Sequence, residues 1–95
     1  MIINPPYKTG DSVSIKLSSG EELIGRFESQ DSNVITIAKP VALMPSPEGM
    51  ALGPFMMGAM KASVYTLNTD LVVTMVKTDE DLARQYIEST TGLKL

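Results

Sequence analysis

The chain has 95 residues, a length that suits one domain with a modest hydrophobic core. It has no cysteine and no histidine, which excludes a disulfide framework, a thiolate metal site and histidine-based catalysis. The formal net charge of −3 argues against a protein that holds nucleic acid by bulk electrostatic attraction, because phosphate binding is driven by clustered lysine and arginine.

The sequence predicts neither a secretory signal at residues 1–10 nor a membrane span at residues 41–60. Residues 1–10 lack the basic start and apolar core of a secretory signal and are expected to form an N-terminal extension of one domain spanning 1–95. The apolar stretch from 41 to 60 contains six prolines and glycines and is too interrupted to span a bilayer. We therefore expect a cytoplasmic protein without a membrane partner.

Two bent strands are predicted at residues 12–17 and 22–29. In the first, Val13, Ile15 and Leu17 alternate with polar residues, a pattern typical of a strand with one wet face. A turn containing Gly20 separates the two strands. Within the second strand, Gly25 predicts a bend or a close backbone approach.

A third strand is predicted at residues 34–38, which are rich in β-branched side chains. Asp31 and Asn33 lie in the turn before it, where their side chains can bond their own backbone. Pro40 is predicted to limit the strand, although residues 41–44 are candidates to extend the sheet.

Proline, glycine and methionine dominate residues 45–60, which we interpret as an insert in the sheet. Flexible apolar side chains concentrate here and suit an adaptable contact surface. One interpretation is a partner-binding or pore-facing loop, and the one we favour is that these residues cap the open end of a small barrel or fill a subunit interface. The candidate partner-binding residues are Met50, Leu52, Phe55, Met56 and Met57.

A final hairpin is predicted from strands at 62–67 and 71–77, turned by the short polar side chains of Asn68, Thr69 and Asp70. Between 71 and 76 only Thr74 is polar, so both faces of the last strand are expected to be covered. A neighbouring subunit could cover it, or the strand could lie beneath the terminal helix.

A helix is predicted at residues 79–91. Thr78 followed by Asp81 matches a capping pattern, acidic residues fill the first turn, and Gly92 can end the helix. The apolar stripe expected to lie against the sheet consists of Leu82, Ala83, Tyr86 and Ile87.

The spacing of Gly20, Gly25 and Asp31, in phase with the alternating apolar residues, resembles the first motif of the Sm and LSm family. The chain length and the layout after residue 40 also resemble short Sm-like proteins of tailed phages of marine bacteria. The resemblance implies a mostly β domain, namely a strongly bent five-stranded antiparallel sheet closing toward a small open barrel. The α-helix is C-terminal here, whereas Sm proteins usually carry their helix before the first strand.

The resemblance also implies assembly. In the Sm family the last two strands pair edge to edge with neighbouring subunits, so we expect a cyclic homo-oligomer of about five to seven subunits. The candidate interface residues are Tyr65, Leu67, Leu71, Val73 and Met75.

The same resemblance assigns candidate RNA-binding residues, which are Asp31, Asn33, Asn68 and Thr69. Asn33 stands where the family often has an aromatic that stacks on a base, and Ile35 stands where it has an asparagine. Asn68 and Thr69 stand where it has arginine and glycine. Because stacking is worth about 1 to 3 kcal/mol per base, these departures weaken a uridine site. Asn33 either bonds a base or closes the turn.

Other charged residues allow alternatives. Lys39 and Lys61 form a local basic patch if the fold brings them together, and otherwise they are solvated. A set of carboxylates close in sequence could in principle perform acid–base chemistry or hold a hard cation, but solvated surface charges explain them more simply. These are Glu21, Glu22, Glu28 and Asp31.

We predict no catalytic residue, metal or cofactor, and no enzyme activity. The leading hypothesis is an Sm-like module in RNA binding or RNA metabolism. The alternative is a ring-shaped scaffold or adaptor of phage origin that binds a host or phage protein without RNA affinity. A carboxylate-based hydrolase is a distant third.

Overall fold

The computed structural model describes residues 7–59 and 63–91, in which six antiparallel strands form one sheet with a C-terminal helix. The prediction of a mostly β chain ending in a helix is confirmed. The strands are β1 (Ser12–Leu17), β2 (Glu22–Gln30), β3 (Val34–Ser46), β4 (Gly49–Pro54), β5 (Val64–Asn68) and β6 (Val72–Lys77). The helix α1 spans Glu80–Thr91, and two 3₁₀ turns span Met57–Ala59 and Thr69–Leu71.

The sheet is curved and open. Its order is β4-β3-β2-β1-β6, and β5 also pairs with β3. Because β2 occupies one edge of β3, β5 and β4 share the other edge, with β5 along residues 34–38 and β4 along residues 41–46. The strands β5 and β6 are consecutive in the chain but lie at opposite ends of the sheet, so the sheet curls toward a barrel without closing.

Gly25 is the point at which β2 bends, as predicted. The register between β2 and β3 shifts between Ile24 and Arg26. A Cβ atom at Gly25 would lie 3.3 Å from both Cβ and Cδ1 of Ile37, which is tighter than ordinary van der Waals contact. A residue without a side chain is therefore needed where the two strands approach.

The core lies on the inner face of the curved sheet. Its buried members come from the first three strands and are Val13, Ile15, Leu23, Phe27, Ile35 and Ile37. Half-buried side chains of the outer strands complete it, including Tyr65 and Leu67 from β5 and Met75 from β6. Burying side chains of this size stabilises a fold by about 1.5 to 3 kcal/mol each.

The helix packs on the outer face, the face opposite the core. Tyr86 is 3 % exposed, and its hydroxyl donates hydrogen bonds to the carbonyl oxygens of Ala38 (3.1 Å) and Lys39 (2.8 Å). Ile24, which alternates with core-facing Leu23, is fully buried. The prediction that Tyr86 lies against the sheet is confirmed, and the other members of its stripe, Leu82, Ala83 and Ile87, are half-buried.

The start of the helix differs slightly from the prediction. The Ala83 N–H donates to the Asp79 carbonyl (2.8 Å), and the helix begins at Glu80. The Thr78 hydroxyl instead pairs with the Ser14 hydroxyl at 3.0 Å, so it fastens the helix to β1. Gly92, the predicted end, lies outside the described residues.

The prediction that Pro40 limits the third strand is wrong, because β3 continues to Ser46. Lys39 and Pro40 together oppose the single residue Gly25, since pairing resumes at Ile24↔Val41 after Arg26↔Ala38. This arrangement is a β-bulge, in which an unpaired residue costs no ladder hydrogen bond, so the missing proline N–H is tolerated. Lys39 there has a φ of 48°, in the left-handed region.

The prediction of a loop-like insert and five strands is also wrong, because β4 lies within the insert. It pairs with β3 from Val41↔Pro54 to Ser46↔Gly49, around a turn at residues 47–48. Beyond Ala42, β3 has no pairing with β2, so residues 43–52 form a two-stranded ribbon, here called the arm.

The last two strands do not form the predicted hairpin. Where the structure describes them, β5 pairs only with β3 and β6 only with β1. The 3₁₀ turn Thr69–Leu71 separates them, and the Asn68 side chain stabilises it by accepting a hydrogen bond from the Asp70 N–H at 2.9 Å. Ala62, the predicted start of the first of these strands, lies outside the described residues.

Within one chain, β6 is not covered on both faces, so the expected cover would have to come from a neighbouring subunit. Val73 is 66 % exposed and Val76 is 52 % exposed. The helix does not cover this strand, because Tyr86 fastens it over β3. The alternative that β6 lies beneath the helix is therefore wrong.

Candidate functional site

The four candidate RNA-binding residues lie together at one end of the sheet. Asp31 and Asn33 belong to the β2–β3 turn, and Asn68 and Thr69 belong to the connection from β5 to β6. The Thr69 N–H donates to the Asn33 carbonyl at 3.0 Å, and its hydroxyl donates to the Ser32 carbonyl at 3.4 Å. Residues 31–33 and 68–70 are hereafter called the turn cluster.

Of the four candidate RNA-binding residues, two have side chains with a structural contact and two have free side chains. The Asn68 side chain caps the 3₁₀ turn, and the Thr69 hydroxyl donates a hydrogen bond to the Ser32 carbonyl of the β2–β3 turn. Asp31 and Asn33 are exposed, and neither side chain makes a hydrogen bond or ion pair within residues 7–59 and 63–91. The interpretation that the Asn33 side chain closes the turn is therefore wrong. Main-chain groups close it, since the Asp31 N–H donates to the Val34 carbonyl at 3.0 Å.

The turn cluster has a negative electrostatic character. Asp31 and Asp70 are both exposed, and residues 31–33 and 68–70 include no lysine or arginine. Lys39 lies at the bulge near the other end of the β3 segment that pairs with β5, and Lys61 lies outside the described residues. The turn cluster therefore offers free amide and carboxylate groups but contains no cation of its own for a phosphate.

A second surface consists of the outer edges of β5 and β6. Each of these strands has one partner strand, so the other edge has no strand partner in the part of the chain that the structure describes. Exposed apolar side chains lie on these strands, namely Val64 of β5 and Val73 and Val76 of β6, and Leu71 of the 3₁₀ turn between the strands is exposed as well. An unpaired strand edge with exposed apolar residues favours pairing with another chain.

The predicted interface residues divide between this surface and the core. Leu71 and Val73 are exposed, whereas Tyr65, Leu67 and Met75 turn inward and pack against the core. The sequence analysis did not single out Val64 and Val76. Their signal was available in the alternation, because they occupy outward positions next to inward-facing Tyr65 and Met75.

The predicted partner-binding residues are also divided. Phe55 packs against the core and meets Tyr65 edge to face with ring centroids 6.0 Å apart, so it belongs to the core packing rather than to an exposed surface. Leu52 is half-buried. The exposed members are Met50, Met56 and Met57, and Met44, which was not among the predicted residues, is exposed as well.

A groove lies between the arm and the first turn of α1. It has a volume of about 480 Å³ and a lining of one methionine, one leucine, one glutamine and three acidic residues. The lining residues are Met50, Asp79, Glu80, Asp81, Leu82 and Gln85.

Two of the four carboxylates considered for acid–base chemistry have separate partners. Glu21 accepts a hydrogen bond from the Ser19 hydroxyl at 2.8 Å, and Glu28 lies 3.5 Å from Arg26 in a partly exposed ion pair. Across residues 7–59 and 63–91, no group of three histidine, cysteine, aspartate or glutamate residues is placed to hold a metal ion.

No helix among the described residues combines the length and apolar character needed to cross a membrane. A comparison with known protein families found no family model that matches the chain, and a comparison with curated proteins found no match.

Proposed function

We propose that the protein is an Sm-like module that assembles into a ring and binds single-stranded RNA at the turn cluster. The observation that carries the proposal is the turn cluster itself. Two segments far apart in sequence, each selected by resemblance to the RNA-binding motifs, meet through hydrogen bonds from Thr69 to Asn33 and Ser32.

The free side chains define how a base would be held. Asn33 carries an amide that can both donate and accept, and Asp31 carries two acceptor oxygens that suit exocyclic amino groups. Base edges would supply the contacts, because the cluster has no aromatic residue for stacking and no cation for phosphate. The expected binding is weak for each subunit and gains strength only through repetition around a ring.

The open edges support the ring. Joining β5 of one copy to β6 of the next would satisfy both unpaired edges and cover Val64, Val73 and Val76. A head-to-tail contact of this kind closes into a ring when the rotation between copies fits. The proposed location remains the cytoplasm, that of a bacterial host if the protein is phage-encoded.

Titration with labelled uridine-rich and adenine-rich RNA at low and moderate salt tests this function. We expect saturable binding that Asn33→Ala weakens, while the control Gln85→Ala, which removes an exposed amide on α1 outside the turn cluster, leaves binding unchanged. Absence of saturable binding to either RNA at micromolar protein would reject RNA recognition.

A second candidate is a ring that binds another protein as a scaffold or adaptor. The exposed methionines of the arm and of the segment after it favour this function, because methionine side chains adapt to varied partners. Replacing Met56 and Met57 by serine is expected to abolish capture of a host or phage protein while the ring remains assembled. The matched control is Thr66→Ala, on the exposed face of β5. Unchanged capture by the double variant would exclude this surface.

A further inference from the structure

We propose that the outer edge of β4 is a docking site for an extended, basic segment of a partner protein, which adds to the sheet as a further strand. The inference rests on the second candidate function, protein binding, and it specifies where the partner binds and its chemistry. Residues 49–54 contain no charged side chain, so β4 lacks the lysines that usually protect a strand edge.

The prolines of the arm show which backbone groups face outward. In an antiparallel ladder, pairs that exchange hydrogen bonds alternate with pairs that do not. Pro45 and Pro54 have no N–H, and their pairs, Pro45↔Met50 and Val41↔Pro54, belong to the same alternating set as Leu43↔Leu52. A proline cannot donate within a ladder, so we infer that these pairs belong to the set without hydrogen bonds. In that set Met50 and Leu52 turn their N–H and C=O groups to the outer edge.

Nothing in the described part of the chain pairs with that edge, because β4 has β3 as its single partner strand. An added strand can therefore bond the N–H and C=O groups of Met50 and Leu52 and the carbonyl of Pro54. Main-chain bonds of this kind give affinity in strand addition, and the alternate side chains give specificity.

The groove determines which side chains the added strand should carry. Met50 and Leu52 lie on the face that also carries α1, and the groove places Met50 beside the first helical turn. Every second side chain of an added strand would point to this face. The acidic lining residues there are Asp79, Glu80 and Asp81, and no basic residue lines the groove. Lysine or arginine at alternate positions of the partner therefore complements the site.

The same charges disfavour the other occupants of a strand edge. Pairing of β4 with β4 of a second copy would bring two sets of these carboxylates toward each other, and like charges in such positions repel. An RNA strand would bring phosphates to an acidic groove. A basic extended peptide is the occupant that satisfies both the backbone groups and the charge.

Fluorescence polarisation with a labelled, end-blocked peptide of alternating lysine and valine tests the proposal on the full-length protein. The controls are the same peptide with glutamate in place of lysine and the same peptide N-methylated at alternate residues. We expect both controls to bind at least about tenfold more weakly, because one loses the charge match and the other loses one edge of backbone donors. Equal binding of either control would overturn the proposal.

Protein variants locate the site independently of the peptide. Replacing Glu80 by glutamine and Asp81 by asparagine should weaken peptide binding about three- to tenfold, mainly at low salt. The matched control removes the same charge at the other end of the sheet, with Asp31→Asn and Asp70→Asn, and should leave peptide binding unchanged. Circular dichroism confirms that each variant is folded. An equal effect of both pairs would show non-specific attraction and overturn the site.

These outcomes are distinguishable from failure of the second candidate function. If the protein captures a partner through Met56 and Met57 while the lysine–valine peptide does not bind, the β4 site is rejected and protein binding stands. If the peptide binds and capture does not depend on those methionines, the methionine surface is rejected and the β4 site stands.

Discussion

Replacing Tyr86 by phenylalanine tests how the helix is fastened to the sheet. The substitution removes one oxygen and keeps the ring that α1 buries. That oxygen donates to the carbonyls of Ala38 and Lys39, at 3.1 and 2.8 Å, where β3 passes through the bulge at Lys39. We therefore expect a loss of stability with little change in packing.

The magnitude follows from the burial of the contact. Tyr86 is 3 % exposed, so water cannot easily replace the lost donor at the two carbonyls. Leaving a buried polar group without its partner costs about 1 to 3 kcal/mol, and we expect about 2 kcal/mol here. For a chain of this length the unfolding entropy is about 0.2 kcal/mol/K, so Tm falls by about 10 °C.

Urea unfolding followed by circular dichroism measures this loss, with all proteins at one concentration because assembly itself shifts apparent stability. The control is Tyr65→Phe, whose hydroxyl donates to the single carbonyl of Ala59 at 2.6 Å in a half-buried setting. We expect the control to lose less than about 1 kcal/mol. An equal loss in both variants, or a loss below about 0.5 kcal/mol at Tyr86, would refute the reasoning.

Three further predictions concern Tyr86, Gly25 and Val73. Burial raises the pKa of Tyr86 to about 12 from its ordinary value of 10.0. Its neutral form therefore stabilises the fold fully below pH 10, and this contribution declines between pH 10 and 12. Urea titrations across that range should show the wild type losing its advantage in stability over the phenylalanine variant, and a constant difference would contradict this. Gly25→Ala places a Cβ atom 3.3 Å from Ile37 and should lower the free energy of unfolding by about 1 to 3 kcal/mol, as measured in thermal melts. The control Gly58→Ala has open space around it and should lose less than about 1 kcal/mol. Equal losses would reject the close approach at Gly25. Val73→Lys should reduce the oligomer mass while circular dichroism stays unchanged, and an unaltered mass would exclude this edge from the interface.

The sequence predicted the first two strands and the start of the third well, because local signals govern them. Alternation identified the inner face of β1, and Gly25 identified the bend, since both signals act within one strand. The strand β4 was missed because its glycines and proline are typical of loops. The register of β4 depends on pairing with the part of β3 that follows Pro40. That part exists because a bulge between β2 and β3 tolerates the proline, and a bulge between two strands cannot be recognised from one segment of sequence.

The sequence predicted which four residues come together at the turn cluster, but it did not predict which of their side chains are free. The resemblance placed Asp31, Asn33, Asn68 and Thr69 in one set, and the fold brings them together. Which side chains are free could not be read from the sequence, because Asn68 and Asn33 are the same residue type in adjacent turns. In the structure the Asn68 side chain caps the 3₁₀ turn, whereas the Asn33 amide is exposed.

The direct measurement of the central claim is the mass of the purified protein in solution by light scattering. The open edges of β5 and β6, with exposed Val64 and Val73, predict that copies of the chain complete each other's sheets. We expect one discrete species of about five to seven chains at micromolar concentration. A mass equal to a single chain under these conditions would contradict the account.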